Sequence, residues 1–238
     1  MTTNHPENLT TQKPQTLAAE DSQYRRHTWS ELKDIIGTPT QPICFKPPNP
    51  TVYFPNPPNN RLETLTRLPS DLHRYQIWSS QIKATHGTVT NYVLTAKLHW
   101  TPLPTHSTNA SNGPPLFAHH AATPFADPRD YAILVNDWPY GLEAGIKHLL
   151  VWTKMPVPIL SSGDEGVEGD VTPESRQTIE GFVEQTFMKE LGDGGSERVM
   201  WFKNWSSLQS VRGVDHVHVL IKDAPPELVE KWTRRKDL

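Results

Sequence analysis

Apolar positions are spread unevenly along the chain, and changes in their spacing mark its parts. Residues 1–27 hold almost no large apolar side chains. A segment that buries so little cannot offset its ordering entropy, so it reads as a disordered N-terminal tail. At Thr28 the spacing becomes helical. Thr28 and Glu31 form a capping box, in which hydroxyl and carboxylate satisfy orphan amides reciprocally. Trp29, Leu32, Ile35 and Ile36 make one apolar face, and Gly37 supplies a left-handed stop. Residues 38–60 carry eight prolines, which neither a helix nor a central strand tolerates. With Ile43, Phe45, Val52, Tyr53 and Phe54 among them, this stretch is expected to drape extended over the domain. A longer helix is predicted over about 71–86, capped by Ser70 and ended by Gly87, with Leu72, Tyr75, Trp78 and Ile82 at helical spacing. TVTNYVLTAKLHW continues as helix, and a polar, Pro-punctuated loop follows over 101–126.

The second half changes period. YAILVN (131–136), KHLLVWTK (147–154), RVMWFKN (198–204) and DHVHVLIKD (215–223) have strand character. Residues 157–171 read as a flexible loop, acidic over 161–171. Thr172 then caps a helix with Pro173 at its first position, buried along Ile179, Phe182, Val183, Phe187 and Leu191. PPELVEKWTRRK makes a last helix, whose Lys231, Arg234, Arg235 and Lys236 form a cationic, solvated end. Helices, a strand pair, a helix, a second strand pair and a final helix define an α+β class. One domain is expected over 28–238. Its helical and Pro-rich part spans 28–100, and its antiparallel sheet region spans 127–238 with helices packed on one face.

Composition excludes more than it identifies. Lys and Arg number 23 against 26 Asp and Glu, a formal net charge of −3. The basic excess of a dedicated nucleic-acid binder is missing, so DNA is not an expected partner. No apolar run approaches membrane-spanning length, and the polar N-terminus shows no signal peptide. The single cysteine, Cys44, forbids an intramolecular disulfide and an all-Cys zinc site. The expected setting is the cytoplasm, with the nucleus also open.

The candidate chemistry lies near the C-terminus. On a strand alternate residues share a face, so His216 and His218 point one way, with Val214, and Val217 and Val219 the other. Paired imidazoles suit metal ligation, phosphate binding or nucleophilic attack on phosphorus, although two such histidines are often plain surface residues. Upstream, Asn204, Ser206, Ser207, Gln209 and Ser210 form a polar bend able to cradle an oxyanion. Asp137 ends a strand before a Pro/Gly turn, where Trp138 reads best as core. His119 and His120 diverge as neighbours on a loop, and no Cys or Glu stands at metal-ligand spacing from them, so no metal or other cofactor is expected. A P-loop, a dinucleotide fingerprint and a nucleophile elbow are all missing.

TWSELKDIIG, RYQIWSSQIKATHGTVTNYVLTAKLHW, DYAILVNDWPYGLEAGIKHLLVWTK and WFKNWSSLQSVRGVDHVHVLI together resemble the fungal N-acetylglucosamine-induced protein family over most of 28–223. That resemblance implies a link to the cellular response to N-acetylglucosamine and brings no settled activity. The second half is similar in outline to the histidine-triad (HIT) superfamily of nucleotide hydrolases and transferases. By that likeness Asp137 and Pro139 match an acid and turn, and His148 to Val151 with Lys154 match a His-led strand. Asn204, Gln209, Ser210 and Val211 match a phosphate loop, and His216 and His218 match two of three triad histidines. The resemblance implies a nucleophilic histidine that attacks the α-phosphate, phosphate held by Asn204, Gln209 and Ser210, and ribose held by Asp137. The departures are specific. Aligned from its Val-Leu end, the strand puts His216 at the nucleophile and Val214 at the first histidine. Aligned from its first histidine, it puts His218 at the nucleophile and Leu220 at the third. Leu208 replaces a glycine, and Arg212 stands in a loop of different length, where it would supply positive charge.

The favoured expectation is a HIT-like site for a nucleotide or nucleotide-sugar, with His216 and His218 in the catalytic role. Asp137, His148, Asn204, Gln209, Ser210 and Arg212 would hold the ligand, and activity would fall as pH drops through roughly 6–7. A second expectation is a non-catalytic regulator of N-acetylglucosamine metabolism on a degenerate HIT scaffold, acting through a protein partner; a homodimer is compatible with either. A third is a metal-dependent enzyme using His216, His218 and either Asp137 or Asp215, although Asp215 should face away from the histidines.

Overall fold

The computed structural model describes residues 14–37, 61–104, 116–164, 168–205 and 207–234. Residues 1–13 of the expected tail, the drape over 38–60, residues 105–115 of the loop over 101–126, residues 165–167 of the acidic loop, and Ser206, Arg235 and Lys236 lie outside the described residues. Four strands form one antiparallel sheet: β1 (Tyr131–Val135), β2 (Ile146–Thr153), β3 (Val199–Phe202) and β4 (His216–Lys222), in the order β1-β2-β4-β3. The register sets Trp152 opposite His216, Leu150 opposite His218 and His148 opposite Leu220. On the other side of β4, Phe202 stands opposite His218.

Helices cover both faces of this sheet, not one. Leu149, Val151, Val199, Trp201, Val217, Val219 and Ile221 fill a core with α5 (Pro173–Val183), which runs on as a wider π turn over Glu184–Met188, and α6 (Pro226–Thr233). The even-numbered side chains face the N-terminal half. Met200, Phe202 and Leu220 pack against α2 (Trp29–Ile36), and Leu150 and Trp152 pack against the layer containing Val89, Val93, Leu94 and Leu98. The reason is visible in β4 itself, where residues 216–221 are all buried. A strand apolar on both sides needs cover on both sides.

Local signals account for most element ends. The Thr28–Glu31 capping box is present, and Gly37 ends α2 at φ 88°. Thr172 caps α5. The long helix α3 spans Pro69–His86, and Ser70 is not its cap: the N-cap is Leu68, which offers no side-chain acceptor. The carboxylate of Asp21 takes that role from another helix. Its Oδ1 accepts the Ser70 N–H at 3.0 Å, and its Oδ2 accepts the Ser70 hydroxyl. Those bonds hold Asp21 below the usual carboxylate range. After Gly87, α4 (Val89–Tyr92) runs into a π-helical stretch over Val93–Leu98, closed by His99 at φ 54°.

Asp21 belongs to a segment expected to be unfolded. Residues 14–27 are structured here: α1 spans Pro14–Gln23, and His27 forms a parallel bridge with Leu142. The segment gains its order from tertiary partners. Tyr24 bonds Thr66, and the His27 amide donates to the Gly141 carbonyl at 2.8 Å. The Gly141 amide donates to the Thr66 carbonyl, also at 2.8 Å, so one glycine joins three chain segments. A Cβ at Gly141 would stand 2.7 Å from the Tyr24 ring and 3.3 Å from Leu68. Gly141→Ala is therefore expected to lower unfolding free energy by about 1–3 kcal/mol. Tyr24→Ala in the same chain should recover part of that loss. Urea titration checks both, and an unchanged midpoint in the single variant would refute the close packing.

Candidate functional site

The floor of the site is the even-numbered face of β2 and β4. Pleating puts His148, Leu150 and Trp152 of β2 beside His216, His218 and Leu220 of β4. The β1–β2 turn and the β3–β4 loop leave opposite ends of the sheet and bend over this face. Asn136 and Tyr140 reach in from the turn, and Asn204 from the start of the loop. Above them stand the segment from Leu62 to Arg67, one side of α3, and α4 with its π extension. Between floor and roof lies a cavity of about 400 Å³.

Its imidazoles are bonded in series. His218 Nδ1 lies 2.8 Å from His148 Nε2, and Asn204 Nδ2 donates to His218 Nε2 at 3.2 Å. Asn204 Nδ2 also donates to the Tyr140 hydroxyl oxygen at 3.1 Å. Asn136 Nδ2 sits 3.3 Å from both ring nitrogens of His148, its orientation set by Oδ1 accepting the Trp138 N–H. Phe202 stacks on His218 at 4.7 Å and 9°, and Tyr140 stacks on His148 at 5.3 Å. His216 differs from both. Its Nδ1–H donates to the Val214 carbonyl at 2.9 Å, which fixes the tautomer because a carbonyl only accepts. Its Nε2 has no hydrogen-bond partner among the described residues, and the ring lines the cavity.

Burial decides the charge state. Desolvation pushes His148 down to about 3 and His216 down to about 4, and it holds His218 well below the usual imidazole range. Arg67 adds repulsion at His148 and His218, and Lys203 at His216. All three rings are neutral at pH 7. An activity that needs neutral His216 would persist through pH 6–7 and fall near 4, which corrects the range expected from an unperturbed imidazole.

Asp137, Asn204, Ser210, His216 and His218 converge on the cavity. His148 is buried behind it and supports His218. Gln209 turns its amide to the Asn204 carbonyl at 2.8 Å, and Arg212 is exposed; neither lines the cavity. Asp215 faces away, paired with Lys203 at 2.8 Å and accepting the Val157 N–H, and Asp137 is paired with Lys97 at 2.6 Å. No carboxylate is thus brought to the two histidines as a third metal ligand, and no three His, Cys, Asp or Glu among the described residues are grouped to hold a metal. His120 turns instead to the buried Asp130, at 3.0 Å.

Several lining residues escaped the sequence reading. Trp138 lines the cavity, where a core position was expected, edge-on to Tyr75 and tilted against Trp78, which in turn stands edge-on to Tyr92. Arg67 lies 4.4 Å over the Tyr75 ring, and its Nε donates to the Trp138 carbonyl. The signal was there for the aromatics, in RYQIWSS and DWPYG, but helical spacing alone does not say which half-buried face meets a void.

An α+β protein with a two-sided antiparallel sheet and a closed-in imidazole cluster is the class these observations define. The model of the family described as "Protein of unknown function (DUF3605)" matches residues 58–222, and the chain belongs to that family. It is 29% identical over 208 residues to N-acetylglucosamine-induced protein 1 of Candida albicans, covering 86% of this chain and 71% of that protein. It is 32% identical over 140 residues to the uncharacterized protein YPL067C of Saccharomyces cerevisiae, covering 58% of this chain and 62% of that one. The crystal structure of HTC1 shares the fold with a TM-score of 0.58 at 24% identity, over 86% of this chain and 91% of that chain. No described helix is long and apolar enough to cross a membrane.

The buried imidazoles set a pH dependence of stability. Their folded-state pKa values lie below the unfolded value near 6.5, so between pH 6.5 and about 4 the unfolded chain binds protons that the native chain refuses. Stability is therefore full above pH 6.5 and drops as pH falls. Between pH 7 and pH 5 the loss should be on the order of 1–2 kcal/mol per imidazole. Urea unfolding at the two pH values checks this, and a flat result would mean the rings are hydrated.

Proposed function

We propose that the cavity binds a nucleotide-type phosphate ester and that His216 attacks its phosphorus. One observation carries the proposal. Within the imidazole cluster the ring nitrogens of His148 and His218 are engaged, while His216 Nε2 is unprotonated and without a partner among the described residues, on a ring that lines the cavity. A nucleophilic imidazole needs its proton held on the far nitrogen, and the Val214 carbonyl does this. Of the two alignments on the HIT pattern, this supports the one that ends at Val219-Leu220, with His216 as nucleophile and Val214 in place of the first histidine. His218, with both nitrogens committed, would brace the site. In the reaction Nε2 forms a bond to phosphorus, and the leaving oxygen departs with the electrons of its P–O bond. Water then attacks phosphorus, the N–P electrons return to Nε2, and the surplus water proton passes to solvent.

The lining narrows the ligand. Arg67 and Lys97 face Glu63 and Asp137 in the same wall, so the formal charges cancel. Such a site suits one phosphoryl charge beside a flat ring against Trp78, Trp138 and Tyr75, better than a polyphosphate chain. On this ground a nucleoside monophosphate ester fits better than a nucleotide-sugar. The name of the Candida relative, N-acetylglucosamine-induced protein 1, keeps UDP-N-acetylglucosamine among the ligands to test.

A second reading is binding without turnover. The turned-away Gln209 and the exposed Arg212 favour it, because the phosphate cradle implied by the HIT likeness is then incomplete.

The p-nitrophenyl ester of thymidine 5′-monophosphate separates these readings. Wild type should release nitrophenolate, and His216→Ala should lose about 10³-fold or more in kcat while binding thymidine 5′-monophosphate within a few fold. Arg67→Ala should weaken that binding about 10-fold without removing turnover at saturation. Saturable binding with no turnover would select the second reading, and no binding to this ester, to thymidine 5′-monophosphate or to UDP-N-acetylglucosamine would end both.

A further inference from the structure

The indole of Trp152 stands directly across from His216 in the β2–β4 register. The two ring centroids are 4.3 Å apart, with the planes inclined by 32°. Trp152 is 3% exposed and lines the cavity. Its N–H is buried and has no acceptor among the described residues. A buried donor without a partner is costly, and a phenylalanine or leucine would fill the layer without that cost.

We infer that Trp152 is a positioning residue for chemistry at His216, its ring face stabilising the imidazolium that forms when Nε2 bonds to phosphorus. The inference rests on the proposed function. Neutral His216 carries its proton on Nδ1, and the Val214 carbonyl accepts that proton in a hydrogen bond without removing it. When the Nε2 lone pair becomes an N–P bond, the ring is left with a full positive charge. A carboxylate or a second imidazole on Nδ1 would spread or remove this charge; a carbonyl cannot. The other charges near the ring are Lys203, which opposes a cation, and Asp215, which is already paired with Lys203. His218 beside it, at 5.3 Å, is neutral. The face of an aromatic ring within about 6 Å attracts a cation, tryptophan most strongly. Trp152 thus interacts more strongly with the transition state and covalent state than with the resting imidazole, and that difference raises rate and not affinity. When water displaces Nε2 and the N–P electrons return to the ring, the charge disappears and the face has nothing further to hold.

The test uses the full chain and the p-nitrophenyl ester of thymidine 5′-monophosphate, comparing Trp152→Phe and Trp152→Leu with wild type. The expected order of kcat is Trp, then Phe, then Leu, with a total loss of roughly 5- to 30-fold and KM within about twofold. The fraction of protein carrying a nucleotidyl group at steady state, read by intact mass after alkaline quench, should fall in the same order. A purely packing role would make activity follow the melting temperature and would leave the covalent fraction of the folded molecules unchanged. Should Trp152→Leu fail to fold, Trp152→Phe decides alone: kcat and covalent fraction equal to wild type overturn the inference. Absence of turnover and of adduct in wild type overturns the proposed function itself, whereas turnover that needs His216 and ignores residue 152 overturns only this inference.

Discussion

Strand β4 has to bury both of its faces, and this requirement organises the molecule. Pleating sends Val217, Val219 and Ile221 into the layer of α5 and α6, and His216, His218 and Leu220 into the layer of α2, α3 and α4. Two helical layers on one sheet follow from that. So does the position of the imidazoles, because a histidine on a doubly covered strand cannot reach bulk water. Half-exposed, the same two residues would be ordinary surface groups.

Once buried, the rings must be neutral and partnered. Ionised imidazoles without counter-charges are excluded by desolvation, and unpaired ring nitrogens cost a hydrogen bond each. Asn136, Asn204 and the bond between the two rings answer that demand for His148 and His218, and the Val214 carbonyl answers half of it for His216. The ring lines a cavity of about 400 Å³, and its Nε2 has no partner among the described residues. Asn204 Oδ1 and the Trp152 N–H beside the rings are likewise buried without partners among the described residues, and the low local polarity keeps His216 neutral well into the acid range.

The N-terminal half supplies the walls and roof of the site. Arg67, Tyr75, Trp78, Tyr92 and Lys97 all come from it. Its placement depends on a few cross-segment ties: Asp21 at the start of α3, Tyr24 against Thr66, and Gly141 between Thr66 and His27. The first two join residues 14–27 to α3 and the stretch before it, and the third joins both to the turn that carries Tyr140. Wide π turns occur where Lys97 enters the wall, and such turns recur at functional sites.

Much of this was legible along the chain. The four strands, the capping box at Thr28, the cap at Thr172 and the shared face of His216 and His218 follow from local periodicity and hydrogen-bonding chemistry, which act over a few residues; Asp137, Asn204 and Ser210, singled out by the HIT likeness, line the cavity. What the tertiary structure alone decided acts between distant segments. The order of residues 14–27 comes from partners at 66, 70 and 141, so their polar composition was a poor guide. The cap of α3 is Asp21 and not Ser70, because the nearest acceptor in space lies 49 positions away. Cover on both faces of β4 replaced the one-sided cover expected from the sequence, because the helices of the N-terminal half pack on the second face. Asn136, Arg67 and Trp138 joined the site through the bend of a turn and the lean of a helix. Sequence sets which side of a strand a residue takes, since that is a rotation of the backbone; whether that side meets water, core or a void depends on what the rest of the chain packs above it.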